Sequence, residues 1–176
     1  MKNRNTPPAG ETDRLQHGFD VCVVGGGMAG LAAALSAARW GARTALIQDR
    51  PVLGGNASSE VRMWICGAHG RNRKETGVLE EMQLENCLWN PEGQYSTWDA
   101  ILYAKAAFQP NLRLFLNTTV TGAETDATAD GSRIAAIHAW QLTSYTRLTI
   151  EAKIFIDCSG DSILAEPSGA DFRVGR

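Results

Sequence analysis

An apolar run, a cluster of glycines and an alanine-rich stretch follow one another between Phe19 and Gly41, and this junction admits few folds. Phe19 to Val24 reads FDVCVV, short and rich in β-branched residues, as suits a strand buried on both faces of a parallel sheet. Three glycines, Gly25 to Gly27, break it. From Gly30 to Trp40 the sequence GLAAALSAARW has strong helix propensity, and Gly41 supplies a stop. A second apolar strand runs from Arg43 to Ile47. The order strand, glycine turn, helix, strand predicts a βαβ unit and an α/β fold around a parallel sheet.

The spacing Gly25-x-Gly27-x-x-Gly30 gives each glycine a physical task. The first permits a tight turn, the second lets the backbone approach a pyrophosphate, and the third allows close packing of helix on strand. Backbone amides of Met28, Ala29 and Gly30, at the positive end of the helix dipole, then face the phosphates. A ribose of the dinucleotide is held roughly 20 residues further on, at the tip of the second strand. Gln48 occupies that place with Asp49 beside it: the Gln48 amide can donate and accept, and Asp49 offers a charged acceptor. At this point either NAD or a flavin dinucleotide satisfies the pattern.

Further along, Glu75 to Trp89 carries Val78, Leu79, Met82, Leu84 and Leu88 at helical spacing, with Glu75, Glu80, Glu81 and Glu85 on the expected wet face. A second helix is predicted over Thr97 to Phe108, capped by the Thr97 hydroxyl, with Asp99 in its first turn and Pro110 beyond its end. Leu112 to Leu116 reads as a strand. TVTGAETDA, RIAAIHAWQ and RLTIEAK then form three strand-like runs, with a hairpin signal at Asp130-Gly131, before a further apolar strand, Ile154 to Ile156. Trp64, Trp89, Trp98 and Trp140 are read as core residues.

Composition narrows the function classes. The 176 residues, 44% hydrophobic and 20% charged, suffice for one packed domain of ordinary size. A net charge of -2 with scattered basic residues, the local run Arg71 to Lys74 apart, argues against nucleic acid. No apolar segment reaches membrane-spanning length. Residues 1–17 are polar, contain a Pro pair and lack an apolar targeting core, so they read as a flexible tail of a cytoplasmic protein. The four cysteines lie far apart with no CxxC pair, which leaves no expected metal or iron-sulfur site.

Beyond the glycine fingerprint, VVGGGMAGLAAALSAARWGARTALIQDRPVLGGNASS is similar to the N-terminal FAD signature of flavin-dependent oxidoreductases of the glutathione-reductase-like fold. The resemblance covers nearly all of Phe19 to Arg176 and is closest to the group that includes the flavoprotein subunit of heterodisulfide reductase. It implies a Rossmann-like parallel sheet with a three-stranded antiparallel β-meander inserted before the last parallel strand. It implies that Arg50, Gly54 and Gly55 wrap the pyrophosphate side of FAD, with Asn56 and Ser58 as hydrogen-bonding groups to phosphate or flavin. Val120 matches the family position whose backbone meets adenine. IFIDCSGD matches the second FAD motif, a strand ending in Gly160-Asp161, with Asp161 as the carboxylate toward the ribityl or pyrophosphate part. The departure is Gln48, where the family more often has Glu.

Cys66 and His69 in WICGAHG follow the Gly-Gly loop and are candidates for proton transfer near a flavin ring. Substrate and redox partner stay unassigned. Residues 18–176 read as an FAD-binding domain without the family's substrate lobe and closing C-terminal segment, an N-terminal fragment completed by a further lobe or a partner chain. The alternatives are a NAD(P)-binding Rossmann dehydrogenase domain and a non-catalytic binding module, whose sign would be apolar surface left open at Phe155 or Leu164.

Overall fold

The computed structural model describes residues 13–68, 70–128 and 131–173, with side chains from residue 18 onward. Six strands form one sheet: β1 Asp13–Val24, β2 Thr44–Ile47, β3 Leu112–Phe115, β4 Thr118–Thr128, β5 Gly131–Gln141 and β6 Thr146–Asp157. Their order across the sheet is β3-β2-β1-β6-β5-β4. The first four in this order are parallel neighbours, and β5 and β4 add antiparallel. The Rossmann-like sheet and the antiparallel extension are therefore present as expected.

The helices are α1 Met28–Arg39, α2 Gly77–Trp89, α3 Tyr95–Ala107 and the single turn α4 Ala165–Ser168. Alternation along the strands divides the core in two. Cys22, Val24, Ala45 and Ile47 point to one face, where Phe115, Ile137, Leu148, Ile150 and Leu164 join them. Val23 and Leu46 point to the other, against Leu31, Leu35, Met82 and Leu102 of α1, α2 and α3.

Three expectations are corrected. RLTIEAK and Ile154 to Ile156 are one strand, because no turn chemistry separates Lys153 from Ile154. Its first half pairs antiparallel with β5, while β1 pairs with it in parallel from Leu148 to Asp157. The third meander strand and the last parallel strand are thus the same element. Second, β1 begins at Asp13, so residues 13–15 of the expected tail pair with Leu148, Thr149 and Ile150, with a register shift before Phe19. Residues 1–12 lie outside the described part, as does Asp130 of the expected hairpin turn.

Third, α3 starts at Tyr95 without a side-chain cap, two residues before Thr97. Its entry is set by Asn90, whose Oδ1 accepts from the Gln94 N–H at 2.8 Å and whose Nδ2 donates to the Gln94 carbonyl at 2.9 Å. Leu164 is buried under α4, whereas Ile154 is exposed and Phe155 partly so. Among the described residues no helix is long and apolar enough to cross a membrane.

Candidate functional site

The carboxyl ends of β1, β2 and β6 open onto a cleft of about 430 Å³. That volume lies within the roughly 300–1,000 Å³ of small-molecule sites, and the position follows the rule that open α/β sheets bind ligands beyond the carboxyl ends of their strands. The first wall is the turn from β1 into α1. Gly27 is the helix N-cap and supplies no side-chain bond, and the first turn of α1 holds no acidic residue. The opening amides, unpaired within the helix, are donors for an anion. The third glycine is fixed by contact: a Cβ on Gly30 would lie 1.8 Å from the Gly25 carbonyl oxygen.

The second wall is the loop after β2. The Gly54 N–H donates to the Gly26 carbonyl at 2.8 Å, and Gly27 and Gly54 form an isolated parallel bridge. The two glycine turns thus lie backbone to backbone. Gln48, expected at a ribose, is buried and committed elsewhere: its Oε1 accepts from the Gly26 N–H at 2.7 Å and its Nε2 donates to the Val52 carbonyl at 3.1 Å. Asp49 and Arg50, next along, are exposed on the cleft. Arg50 Nε lies 3.4 Å from a Glu60 carboxylate oxygen.

The far wall comes from the loop after β6 and the start of β4. Asp157 ties that loop down: its Oδ1 accepts from the Ser159 N–H at 2.9 Å and the Ser159 hydroxyl at 2.6 Å, and its Oδ2 from the Leu164 N–H at 2.8 Å. Gly160 and Asp161 are exposed on it and line the cleft. The Val120 side chain is buried in the core, so what this position offers a ligand is mainly backbone. The Cys158 thiol, also on the cleft, is raised by burial and by the Asp157 carboxylate, and burial pushes Cys22 up to about 12. Neither favours a thiolate.

Of the residues singled out from sequence, Gly25, Gly27, Gln48, Asp49, Arg50, Gly55, Asn56, Val120, Gly160 and Asp161 line this one cleft. Met28, Ala29 and Gly30 stand behind it in the first turn of α1, and Gly54 is buried beneath. Ser58 departs from its expected role. It is 1% exposed and its Oγ accepts from the Glu60 N–H at 3.3 Å, inside its own turn. Val61, Thr118, Thr119, Ser159 and Ile163 line the cleft without having been singled out; Thr119 and Ser159 each adjoin a residue that was.

On both sides of Ser58 the chain is held by α3. The Trp98 indole donates to the Ala57 carbonyl at 3.0 Å, Asp99 accepts from the Ser59 N–H at 3.0 Å, and the Tyr95 hydroxyl donates to the Arg62 carbonyl at 2.9 Å. Asp99 therefore braces a loop and is buried. Cys66 is exposed and does not line the cleft, and His69 lies outside the described residues.

The expected faces of α2 hold only in part: Met82 is buried in the core with Val78 packed against it, while Glu81 and Glu85, still over a third exposed, enter ion pairs. Glu81 binds the Arg39 guanidinium through both oxygens at 2.8 Å and, with Glu85, also meets Lys105. Leu84, Leu88 and Trp89 face solvent, as does Trp64, whereas Trp98 is core. Met82 and Val78 supply the inward face of α2, and the ion pairs beside it depend on cations of α1 and α3 that helical periodicity within α2 cannot see.

The family model of FAD dependent oxidoreductases matches residues 20–176. A soluble pyridine nucleotide transhydrogenase of Marinobacter nauticus is 44% identical over 43 residues, 24% of this chain and 9% of that protein. Among solved structures, THI4 of Thermovibrio ammonificans superposes with a TM-score of 0.61 at 22% identity, covering 85% of this chain and 60% of that one. The myxobacterial FAD-dependent halogenase CndH gives 0.55 at 16% identity, over 85% of this chain and 39% of its own. A flavoprotein/dehydrogenase of Cytophaga hutchinsonii gives 0.53 at 17%, over 90% and 43%. At these identities the structures establish the fold, and the chain spans less than two thirds of each.

Proposed function

The chain belongs to the family of FAD dependent oxidoreductases, and from that premise we propose that residues 18–176 form the domain that holds the ADP half of FAD, within a longer-spanning oxidoreductase. The observation that carries this reading is convergence: an uncapped helix N-terminus, two glycine turns in backbone contact and the Gly160-Asp161 loop border one cleft. Bound FAD supplies reversible uptake of an electron pair; the residues of this chain bind and orient it.

The amides opening α1 receive the pyrophosphate, with the helix dipole adding to the attraction. Gly55 and Asn56 close over its other side, on a loop that Gly54 anchors to the Gly26 carbonyl, and Arg50 offsets its charge. Because both functional ends of the Gln48 amide are already bonded to the backbone, the ribose hydroxyls fall to the Asp49 carboxylate. The Val120 backbone meets adenine, and Asp161 accepts from ribityl hydroxyls. The substrate is a small molecule or redox protein engaged by a further lobe or a partner chain. The four cysteines, free among the described residues, suit a reducing compartment such as the cytoplasm.

The test is a titration of the purified chain with FAD, NAD and NADP, followed by flavin fluorescence and by competition with ADP. The reading predicts one FAD per chain, displaced by ADP. Binding of NAD or NADP in preference to FAD, or no nucleotide binding at all, would contradict it.

A further inference from the structure

Gln48 is a buried polar side chain of the cleft whose bonding the cofactor assignment leaves unused. It stands at the end of β2, 5% exposed, with its backbone N–H donating to the Phe115 carbonyl and its carbonyl accepting from Thr118. The backbone therefore cannot shift without disturbing β3 and β4. The side chain joins the two glycine turns: Oε1 to the Gly26 N–H, Nε2 to the Val52 carbonyl. The partners dictate the amide orientation, since a backbone N–H requires an oxygen and a carbonyl requires an N–H.

The turns also have no slack against each other. A Cβ on Gly26 would lie 2.6 Å from Cδ2 of the fully buried Leu53 and 3.0 Å from the Gln48 Cβ. The Gly54 N–H to Gly26 carbonyl bond closes the same contact from the other side. Gln48 thus ties the turn that faces one side of the cleft to the loop that faces the other.

We infer that Gln48 is a positioning residue, a latch that sets the separation of the two glycine turns and so the fit of the dinucleotide, and that the latch requires a group able to accept and donate at once. The inference rests on the FAD reading of the cleft. A carboxylate would answer the Gly26 N–H but present a second lone pair to the Val52 carbonyl. A protonated carboxyl would answer both. Replacing Gln48 with Glu therefore converts a constant tie into one that a proton completes, and burial raises the pH at which that proton is held.

The test compares wild type, Gln48→Glu and Gln48→Met. FAD affinity is read by flavin fluorescence at about pH 5.5 and about pH 8.5, and exchange of the Gly26 amide is read by NMR without cofactor. Asp49 and Arg50 beside Gln48, Glu60 against Arg50, and Asp157, Cys158 and Asp161 on the β6 side are common to all three proteins, so the wild-type profile is the baseline. Relative to it, Gln48→Glu is expected to bind within about threefold at the lower pH and roughly tenfold more weakly at the higher. Gln48→Met is expected to bind roughly tenfold more weakly at both, with the Gly26 amide losing its protection.

A folded Gln48→Met protein with wild-type affinity and a protected Gly26 amide would overturn the latch. Should Gln48→Met not fold, the pH pair on Gln48→Glu decides: equal affinity relative to wild type at both pH values overturns it. Wild type that takes up no FAD would instead remove the cofactor reading. The Gly26 exchange rates of wild type and Gln48→Glu would then decide the latch by themselves, protection matching wild type only at the lower pH supporting it and pH-independent agreement refuting it.

Discussion

The two glycine turns and the segment from Val61 to Trp89 adjoin the same loop, yet they treat solvent in opposite ways. At the turns, the Gly26 and Gly54 amides and the Gln48 side chain are bonded within the chain, and Leu53 is fully buried. Along the second segment Met63, Trp64, Leu84, Leu88 and Trp89 are exposed, while the contacts that hold α2 include ion pairs to Arg39 and Lys105. The difference teaches where structure is over-determined. The turns are fixed by several mutually dependent contacts, so small changes there are costly; the apolar side chains on the outer face of α2 contribute little to the fold they decorate.

That contrast can be broken by substitution, with effects of descending size. Gly30→Ala places a methyl against the Gly25 carbonyl and is expected to cost about 3 kcal/mol or more and to abolish nucleotide binding, as read by urea denaturation and FAD titration. Leu102→Ala, at a fully buried position beneath Gly54, is expected to cost about 3 kcal/mol and to weaken FAD binding by loosening the second glycine turn. Trp98→Phe removes the indole bond to Ala57 and is expected to cost about 1 kcal/mol, with faster proteolysis in the 55–62 loop.

An acid titration comes next. The Arg39 guanidinium, with help from Lys105, holds the Glu81 carboxyl at about 2 against the burial that would raise it. A depressed folded-state value means that the pair stabilises the protein above the ordinary carboxylate range and that this contribution is lost as the pH falls toward 2. Arg39→Met should flatten that acid limb by less than about 1 kcal/mol, since both side chains are over a third exposed, as seen by denaturation at pH 6 and pH 3. Trp64→Ala and Leu88→Ala should change stability by less than about 0.5 kcal/mol; a larger loss would show that the exposed segment carries structure after all.

The same division explains what could be read from sequence. The βαβ unit and the lining residues Gly25, Gly27, Gln48 and Asp49 were legible because glycine spacing and strand periodicity are local signals, whereas Arg50, Gly55, Asn56, Val120, Gly160 and Asp161 were reached through the family resemblance. Gln48 was placed correctly at the strand end, but its partners, Gly26 and Val52, depend on how two turns meet in space. Ser58 turned inward for a similar reason, since α3 holds the loop around it through Trp98 and Asp99. On α2 the inward Met82 and Val78 follow the apolar periodicity, but Leu84 and Leu88 stay exposed, and Glu81 and Glu85 pair with Arg39 and Lys105, partners far away in sequence. The single long β6 was divided because a strand that pairs antiparallel at one end and parallel along the other carries no mark of the change.

The most direct test of the central claim is the crystal structure of this chain grown with FAD. The account predicts pyrophosphate density within hydrogen-bonding distance of the amides that open α1, between the Gly25–Gly27 and Gly54–Gly55 turns, with the adenosine ribose at Asp49 and the Gln48 amide still bonded to Gly26 and Val52. Pyrophosphate bound away from these turns, or a Gln48 side chain swung out onto the ribose, would contradict it.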